Sequence, residues 1–255
     1  MATLQAIQET EQNILRWFHQ ICEENGLKYT AVFGTMLGAV RHQGFIPWDD
    51  DVDVFLPLED GQKLRNVFRS EEYFLQCPEN DIEAPYLMMK IRKNGTVMED
   101  LLQRGLNMHK GVWIDIFLYT NAGKSKIAKK LQVFLIKALQ SYRCRYYHVL
   151  NDPQKKLYPL LCRLPVPFCL WLDRRILGAI RVLGSKKSPE IVCIENENSV
   201  FFDRKFLENR TLYEFSGDTI WGVKDYDAYL TGVYGKNYMT PIKWGHIEDY
   251  GQVIC

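Results

Sequence analysis

The chain lacks any apolar run near the ~20 residues that a spanning helix needs, which excludes a transmembrane segment. It also lacks a C-x-x-C pair. Its seven cysteines (22, 77, 144, 162, 169, 193 and 255) are an odd number without metal-ligand spacing, so they form neither a zinc site nor a disulfide framework. That usage predicts reduced thiols in a cytoplasmic protein. No internal repeat or low-complexity linker interrupts the chain, and its first 25 residues mix acids and polar groups with apolar ones, unlike a secretory leader.

What is present is a chain of 255 residues, 47% hydrophobic and 25% charged, long enough for one large domain or a catalytic domain with an insertion. The net charge of +1 conceals a segregation. Residues 121–188 hold 15 Lys+Arg against two acids, Asp152 and Asp173, while the remainder holds 17 basic and 29 acidic residues. The two parts face different partners.

Leu4, Ile7, Ile14, Leu15, Phe18, Ile21 and Cys22 recur at helical steps and predict an amphipathic helix ending near Gly26. A strand from Leu27 to Phe33 then leads into Gly34-Thr35, a strand–turn–helix junction whose backbone N–H groups can cradle a phosphate. From Asp51 to Leu56 the chain alternates, with Val52, Val54 and Leu56 on one face and Asp51 and Asp53 on the other. Tyr86–Arg92 and Thr96–Leu101, joined by Asn94-Gly95, predict a second strand pair. In Gly111–Leu118, Asp115 leaves the face opposite the aliphatic one, together with Trp113 and Phe117. From Lys124 to about Lys187 the pattern is helical and basic, and the tail from Glu190 is acidic and aromatic with glycine turns.

Four aspartates within Asp49–Asp53 cannot all be buried as anions without compensation. A divalent cation removes that conflict. Carboxylates at i and i+2 on a strand lie about 6 to 7 Å apart and can converge on Mg²⁺ or Mn²⁺. Asp115 is the third ligand such a site for in-line phosphoryl displacement requires. Lys90 and Arg92, alternating on one strand face, and Arg41 are candidates to neutralise a diphosphate. The competing reading, a solvated acidic turn or a calcium loop, lacks the alternate oxygens and central glycine of an EF-hand.

The block from Phe33 to Val54, with Gly34-Thr35, Arg41-His42 and Trp48-Asp49-Asp50-Asp51-Val52-Asp53, resembles the signature of the LicD family of phosphocholine transferases. Gly111–Phe117 is similar to that family's second acidic motif, and Tyr226–Leu230 with Tyr234–Met239 to its last stretch. The resemblance runs from about residue 10 to 246 and omits the detail of 121–188. Two departures stand out: Thr35 where Ser or Gly is more usual, and the wide gap between Thr35 and Asp51.

The resemblance implies an α+β, nucleotidyltransferase-like fold: a small mixed β-sheet flanked by helices, here with a basic helical insertion. It divides the chain into a core at 1–120, an insertion at 121–188 and a C-terminal part of the catalytic domain at 189–255. It implies Asp51, Asp53 and Asp115 as catalytic metal ligands, and His246 matches a family position; with it, Gly34, Thr35, Arg41, Trp48, Lys90 and Arg92 are the candidate donor contacts. The implied reaction moves phosphocholine from CDP-choline to a sugar hydroxyl of a glycan or its lipid-linked precursor, releasing CMP. Ethanolamine, ribitol or glycerol phosphate is the alternative cargo.

A quaternary ammonium needs aromatic faces, for which Trp48, Tyr86, Trp113, Trp221 and Trp244 are available. The basic segment suits peripheral contact with an anionic membrane at its inner face. No RNA-binding motif accompanies it, so nucleic acid is not an expected partner. A nucleotidyltransferase acting on a small molecule or nucleic acid, or a non-catalytic metal- or glycan-binding protein, completes the alternatives.

Overall fold

The computed structural model describes residues 3–99, 103–151, 156–195, 201–242 and 252–254. The first half runs α1 (Leu4–Asn25), β1 (Thr30–Ala31), α2 (Phe33–His42), β2 (Asp53–Pro57), α3 (Leu58–Val67), β3 (Tyr73–Gln76), β4 (Met89–Lys93), β5 (Val97–Glu99) and β6 (Trp113–Asn121). Four helices follow, α4 (Lys126–Arg143), α5 (Arg145–Asn151), α6 (Leu157–Leu161) and α7 (Val166–Leu183). The chain then returns through β7 (Glu190–Cys193), β8 (Phe201–Asp203), α8 (Arg204–Glu208), β9 (Arg210–Phe215), β10 (Asp218–Val223), α9 (Tyr226–Tyr234) and β11 (Gln252–Ile254).

The architecture is α+β, a mixed open sheet between helices. Its strand order is β3-β4-β6-β2-β1-β10-β9, with β7 also on β6 and β8 on β7. β2 and β6 run parallel at its centre. Both are buried on both faces, the environment in which parallel strands are stable. On one face Val52, Val54, Leu56, Ile114, Ile116 and Leu118 pack against Ile14, Leu15 and Phe18 of α1. On the other, Phe55 joins Met36 and Leu37 of α2 and Leu230 of α9.

α1 starts where the Thr3 hydroxyl accepts the Ala6 N–H and stops at Gly26, whose left-handed backbone caps it. The junction after β1 is tighter than the sequence predicts: α2 begins at Phe33, whose φ of 47° is unusual for a side chain of that size. Gly34 and Thr35 therefore lie inside the first helical turn. Asp51 likewise precedes β2, whose first residue is Asp53.

The expected pairing of the strands flanking Asn94-Gly95 does not form. Both edges of β4 are taken, by β3 and by β6, and β5 pairs with β11. The long strand β6 is shared along its outer edge. Its first half pairs with β4 and its last residues, Tyr119–Asn121, with β7, so the sheet forks beside Phe117 and Leu118. No helix among the described residues is long and apolar enough to cross a membrane, and none of the six described cysteines forms a disulfide.

Candidate active site

Three adjacent strands align one charged residue each. Asp53 of β2 stands opposite Asp115 of β6, and Asp115 stands opposite Lys90 of β4. Because side chains alternate along a strand, all three leave the face that α1 does not cover. Backbone bonds fix the row. The Asp53 N–H donates to the Thr35 hydroxyl at 2.8 Å, the Asp53 carbonyl accepts from Val32, and the Asp115 N–H donates to the Val52 carbonyl at 2.8 Å. Thr35, expected at a phosphate, thus also sets where β2 begins.

The incoming acidic segment is held by α1, whose Gln8 amide donates to the carbonyls of Ile46 and Asp49 at 3.3 and 2.8 Å. Gly34 lets this segment come close: a Cβ there would lie 2.7 Å from a carboxylate oxygen of Asp49. The position expected to approach a phosphate is thus approached by the protein's own carboxylate.

The electrostatics of the row are those of crowded, buried carboxylates. Burial pushes the Asp51 carboxyl well above its ordinary range, and repulsion from Asp49, Asp115 and Asp50 adds to it. Asp53 is raised by burial and then by Asp51, Asp115 and Asp49. In both cases Lys90 offsets part of the shift. Its ammonium lies 2.5 Å from Asp115, 4.4 Å from the ring centre of Tyr86 and 4.5 Å from that of Trp113.

A sixth acid joins the group. Glu11, on the buried stripe of α1, is raised by burial and then by Asp51, Asp50, Asp115 and Asp49. Sequence reasoning passed over it, although an acid between Ile7 and Ile14 on an apolar face is a legible anomaly.

The expected donor contacts divide. Arg92 is fully buried, donating to the Gln76 side chain and the Gly111 carbonyl at 2.8 Å each, with its guanidinium over Trp113. Arg41 is half-buried at the end of α2, donating to the Tyr238 carbonyl at 3.1 Å, and its charge is disfavoured by burial and supported by Asp49. Trp48 packs into the apolar cluster of Val32, Met36 and Leu37. Trp221 donates to Glu23 on the far side of the sheet. His246 and Trp244 lie outside the described residues.

Beside the row opens a cavity of about 990 Å³. Its floor continues the charged face: Phe117 follows Asp115 by two positions on β6, and Phe33 packs edge-on against Phe117 and Phe55. Tyr229 and Tyr234 of α9 close one side, while Cys144, Tyr147 and His148 from the basic segment close another. Tyr234 lines the cavity, and its hydroxyl is raised by burial and then by Asp53, Asp49 and Asp51.

Glu195 and Asp203 are the carboxylates of the lining, which holds no Lys or Arg. Glu195 occupies the fork of the sheet, where its carboxylate accepts the N–H groups of Leu87 and Met88. Those donors precede β4 and have no partner strand there.

Burial pushes the Glu195 carboxyl up from 4.5 to about 8, against the lowering effect of its two backbone donors and Lys90. The folded protein therefore holds a proton that the unfolded chain sheds above pH 4.5, and stability falls as pH rises through the window from 4.5 to about 8. Glu195→Gln keeps an acceptor for the fork and removes the ionisation. Its unfolding free energy is expected to decline less steeply across that window, by up to about 1.4 kcal/mol per pH unit, with a correspondingly flatter melting temperature. Parallel wild-type and variant profiles of melting temperature against pH would refute this.

The donor set suits a hard divalent cation, because it consists of carboxylate oxygens whose mutual repulsion a cation relieves. Among the described residues no three His, Cys, Asp or Glu side chains converge as a preformed ion site.

Residues 26–133 match the family model described as LicD/FKTN/FKRP, nucleotidyltransferase domain. The lipopolysaccharide cholinephosphotransferase LicD of Haemophilus influenzae is 39% identical over 111 residues, covering 42% of this chain and 40% of that protein. The ribitol 5-phosphate transferase FKRP of Mus musculus is 30% identical over 122 residues, 44% of this chain and 24% of that one. The mannosyltransferase regulator 4 of Saccharomyces cerevisiae is 25% identical over 116 residues, 44% and 10% of the two chains. The chain thus spans less than half the length of these relatives. The matched stretch, residues 26–133, is similar to the nucleotidyltransferase domain of the LicD/FKTN/FKRP family and includes the acidic segment Asp49 to Asp53, Lys90 and Asp115 of the row just described.

Proposed function

We propose that this protein transfers phosphocholine from CDP-choline to a sugar hydroxyl of a glycan or its lipid-linked precursor, with CMP as the leaving group. The observation that carries the choice of alcohol is the cavity beside the acid row: among the described residues its lining has aromatic walls, the carboxyl groups of Glu195 and Asp203, and no Lys or Arg. A quaternary ammonium has no N–H to donate, and it is stabilised by ring faces. Ribitol or glycerol would instead need a hydrogen-bond partner for each hydroxyl, and the five phenylalanines of the lining, Phe33, Phe117, Phe201, Phe202 and Phe206, offer none. The relatives act on both kinds of cargo by their names, a cholinephosphotransferase and a ribitol 5-phosphate transferase.

In this reading the acceptor oxygen attacks the phosphorus that bears the choline. The bond from that phosphorus to the bridging oxygen breaks, and the electron pair leaves with CMP. Asp115 takes the proton of the attacking hydroxyl, and Arg41, at the Asp49 edge of the row, meets the charge of the diphosphate. Asp51, Asp53 and Asp115 would hold Mg²⁺ or Mn²⁺, which when bound neutralises the diphosphate and the developing negative charge. Phe117, Tyr229 and Tyr234 orient the cationic end and exclude water from it.

The test is CMP release with Mg²⁺ from CDP-choline, CDP-ethanolamine, CDP-ribitol and CDP-glycerol. CDP-choline is expected to exceed the two polyol donors by roughly tenfold or more in kcat/KM, the effect of a desolvated cation–aromatic contact. Equal or faster turnover of CDP-ribitol overturns the choice of alcohol. Release of pyrophosphate from nucleoside triphosphates, with every CDP-alcohol inert, overturns the reaction class.

A further inference from the structure

The basic segment carries an unusual surface. Of the fifteen exposed large apolar side chains among the described residues, ten fall between Ile127 and Val182. On α4 they follow the helical repeat as Ile127, Leu131 and Phe134, 80%, 43% and 65% exposed, with Lys130 and Lys137 alongside. On α7 they recur as Phe168, Trp171 and Val182, with Arg175 inside the same stripe and Arg174 beside it.

The opposite faces are anchored inward. Gln132 of α4 donates to the Ile180 carbonyl at 2.9 Å, and Arg143 lies 3.6 Å from Asp173. That contact turns one of the segment's two acids away from solvent. Each helix therefore shows an apolar stripe edged by cations, with no acid exposed on either.

We propose that the outer faces of α4 and α7 dock on an anionic lipid bilayer, lying in its interface without crossing it. Charge complementarity selects this occupant. A protein partner would demand acidic residues matched to each cation, whereas a bilayer rich in anionic headgroups accepts a diffuse array while its acyl boundary takes Phe134, Phe168 and Trp171. The inference is independent of which alcohol phosphate the acid row moves. Its consequence for that site is positional: Cys144, Tyr147 and His148, from the same segment, wall the cavity, so docking brings the cavity to the lipid surface where a lipid-anchored acceptor resides.

The test is co-sedimentation with vesicles of phosphatidylcholine alone or with phosphatidylglycerol added. The protein is expected to pellet with the anionic vesicles only, and to be released by salt. Arg174→Glu with Arg175→Glu, and separately Lys130→Glu with Lys137→Glu, should each weaken partitioning at least about 25-fold, each cation near such a surface contributing roughly fivefold. Phe168→Ala with Trp171→Ala should weaken it with every charge kept. All three pairs are exposed, so melting temperature and CMP release toward a soluble acceptor should stay at wild-type values. Absence of pelleting, equal pelleting with neutral vesicles, unchanged partitioning of the variants, or binding to a soluble polyanion such as heparin without binding to vesicles would each overturn the proposal.

Discussion

Asp53→Asn is expected to lower CMP release by at least about 10³-fold and, in metal-free buffer at neutral pH, to raise the melting temperature. The two effects share one cause. Several kcal/mol of charge stabilisation at the phosphoryl group depend on the carboxylates of the row, and each ~1.4 kcal/mol is a factor of ten in rate. The same carboxylates destabilise the resting fold. Asp53 is buried beside Asp51, Asp115 and Asp49, so its folded-state carboxyl binds a proton more tightly than the ordinary 3.8 of the unfolded chain. Stability from this group is therefore lost as pH rises above 3.8 toward the raised value. Asn is uncharged throughout and escapes that loss. A gain of roughly 2–4 °C corresponds to about 1 kcal/mol in a chain of this size. Thermal melts with chelator at pH 7 and pH 3.5 check it, since the advantage should vanish at the lower pH. A variant that is both inactive and less stable at pH 7 would show that Asp53 contributes packing rather than strained charge.

The second large effect is expected at Gly38, in the middle of α2. Alanine normally stabilises a helix interior relative to glycine by about 1 kcal/mol. At Gly38 the sign reverses, because a Cβ would lie 2.4 Å from the Gly44 carbonyl oxygen and 3.3 Å from the Ile46 nitrogen. Both are backbone atoms, so the 44–46 stretch must move, and the acidic segment that follows it moves too. Gly38→Ala is expected to cost about 1–3 kcal/mol and to abolish most activity. Gly178 of α7 supplies the control: a Cβ there meets nothing within 4 Å, and Gly178→Ala should stabilise by roughly 0.5–1 kcal/mol with unchanged activity. Denaturant titration of both variants decides the matter. Parallel changes in the two would remove the steric argument.

The parts of this molecule legible in the sequence are those where chemistry or period is local. The stripe Ile7–Ile14–Phe18 defined α1, and alternation in Asp-Val-Asp-Val and Ile-Asp-Ile put the acids on one face of two strands. That these strands are neighbours follows from the need of the acids for one another, and the register Asp53–Asp115 meets it.

What was not legible depends on competition between distant segments. Asn94-Gly95 does turn the chain, with Gly95 at φ 77°, yet no hairpin follows because β4 has no free edge. The β9–β10 hairpin had its signal in Ser216-Gly217, both with positive φ. It was read only as a turn within an acidic tail. Glu195 had no local mark at all, because its meaning comes from a fork made by strands about a hundred residues apart in sequence. The cavity was hidden for the same reason: Phe33, Tyr86, Phe117, Tyr147 and Tyr234 are gathered from five separate stretches of chain.

The fork in the sheet separates two things that evolution can alter independently. The half of β6 that pairs with β4 carries Asp115 beside Asp53 of β2, and a change there would disturb the proposed chemistry. The half that pairs with β7 leads directly into the helices that wall the cavity. Insertions, deletions or wholesale replacement of those helices can reshape what enters the cavity while the reacting groups stay in register. A grafting experiment follows naturally: a chimera that replaces residues 122–189 with the corresponding segment of a relative should change which alcohol the cavity accepts and keep the bond that is broken.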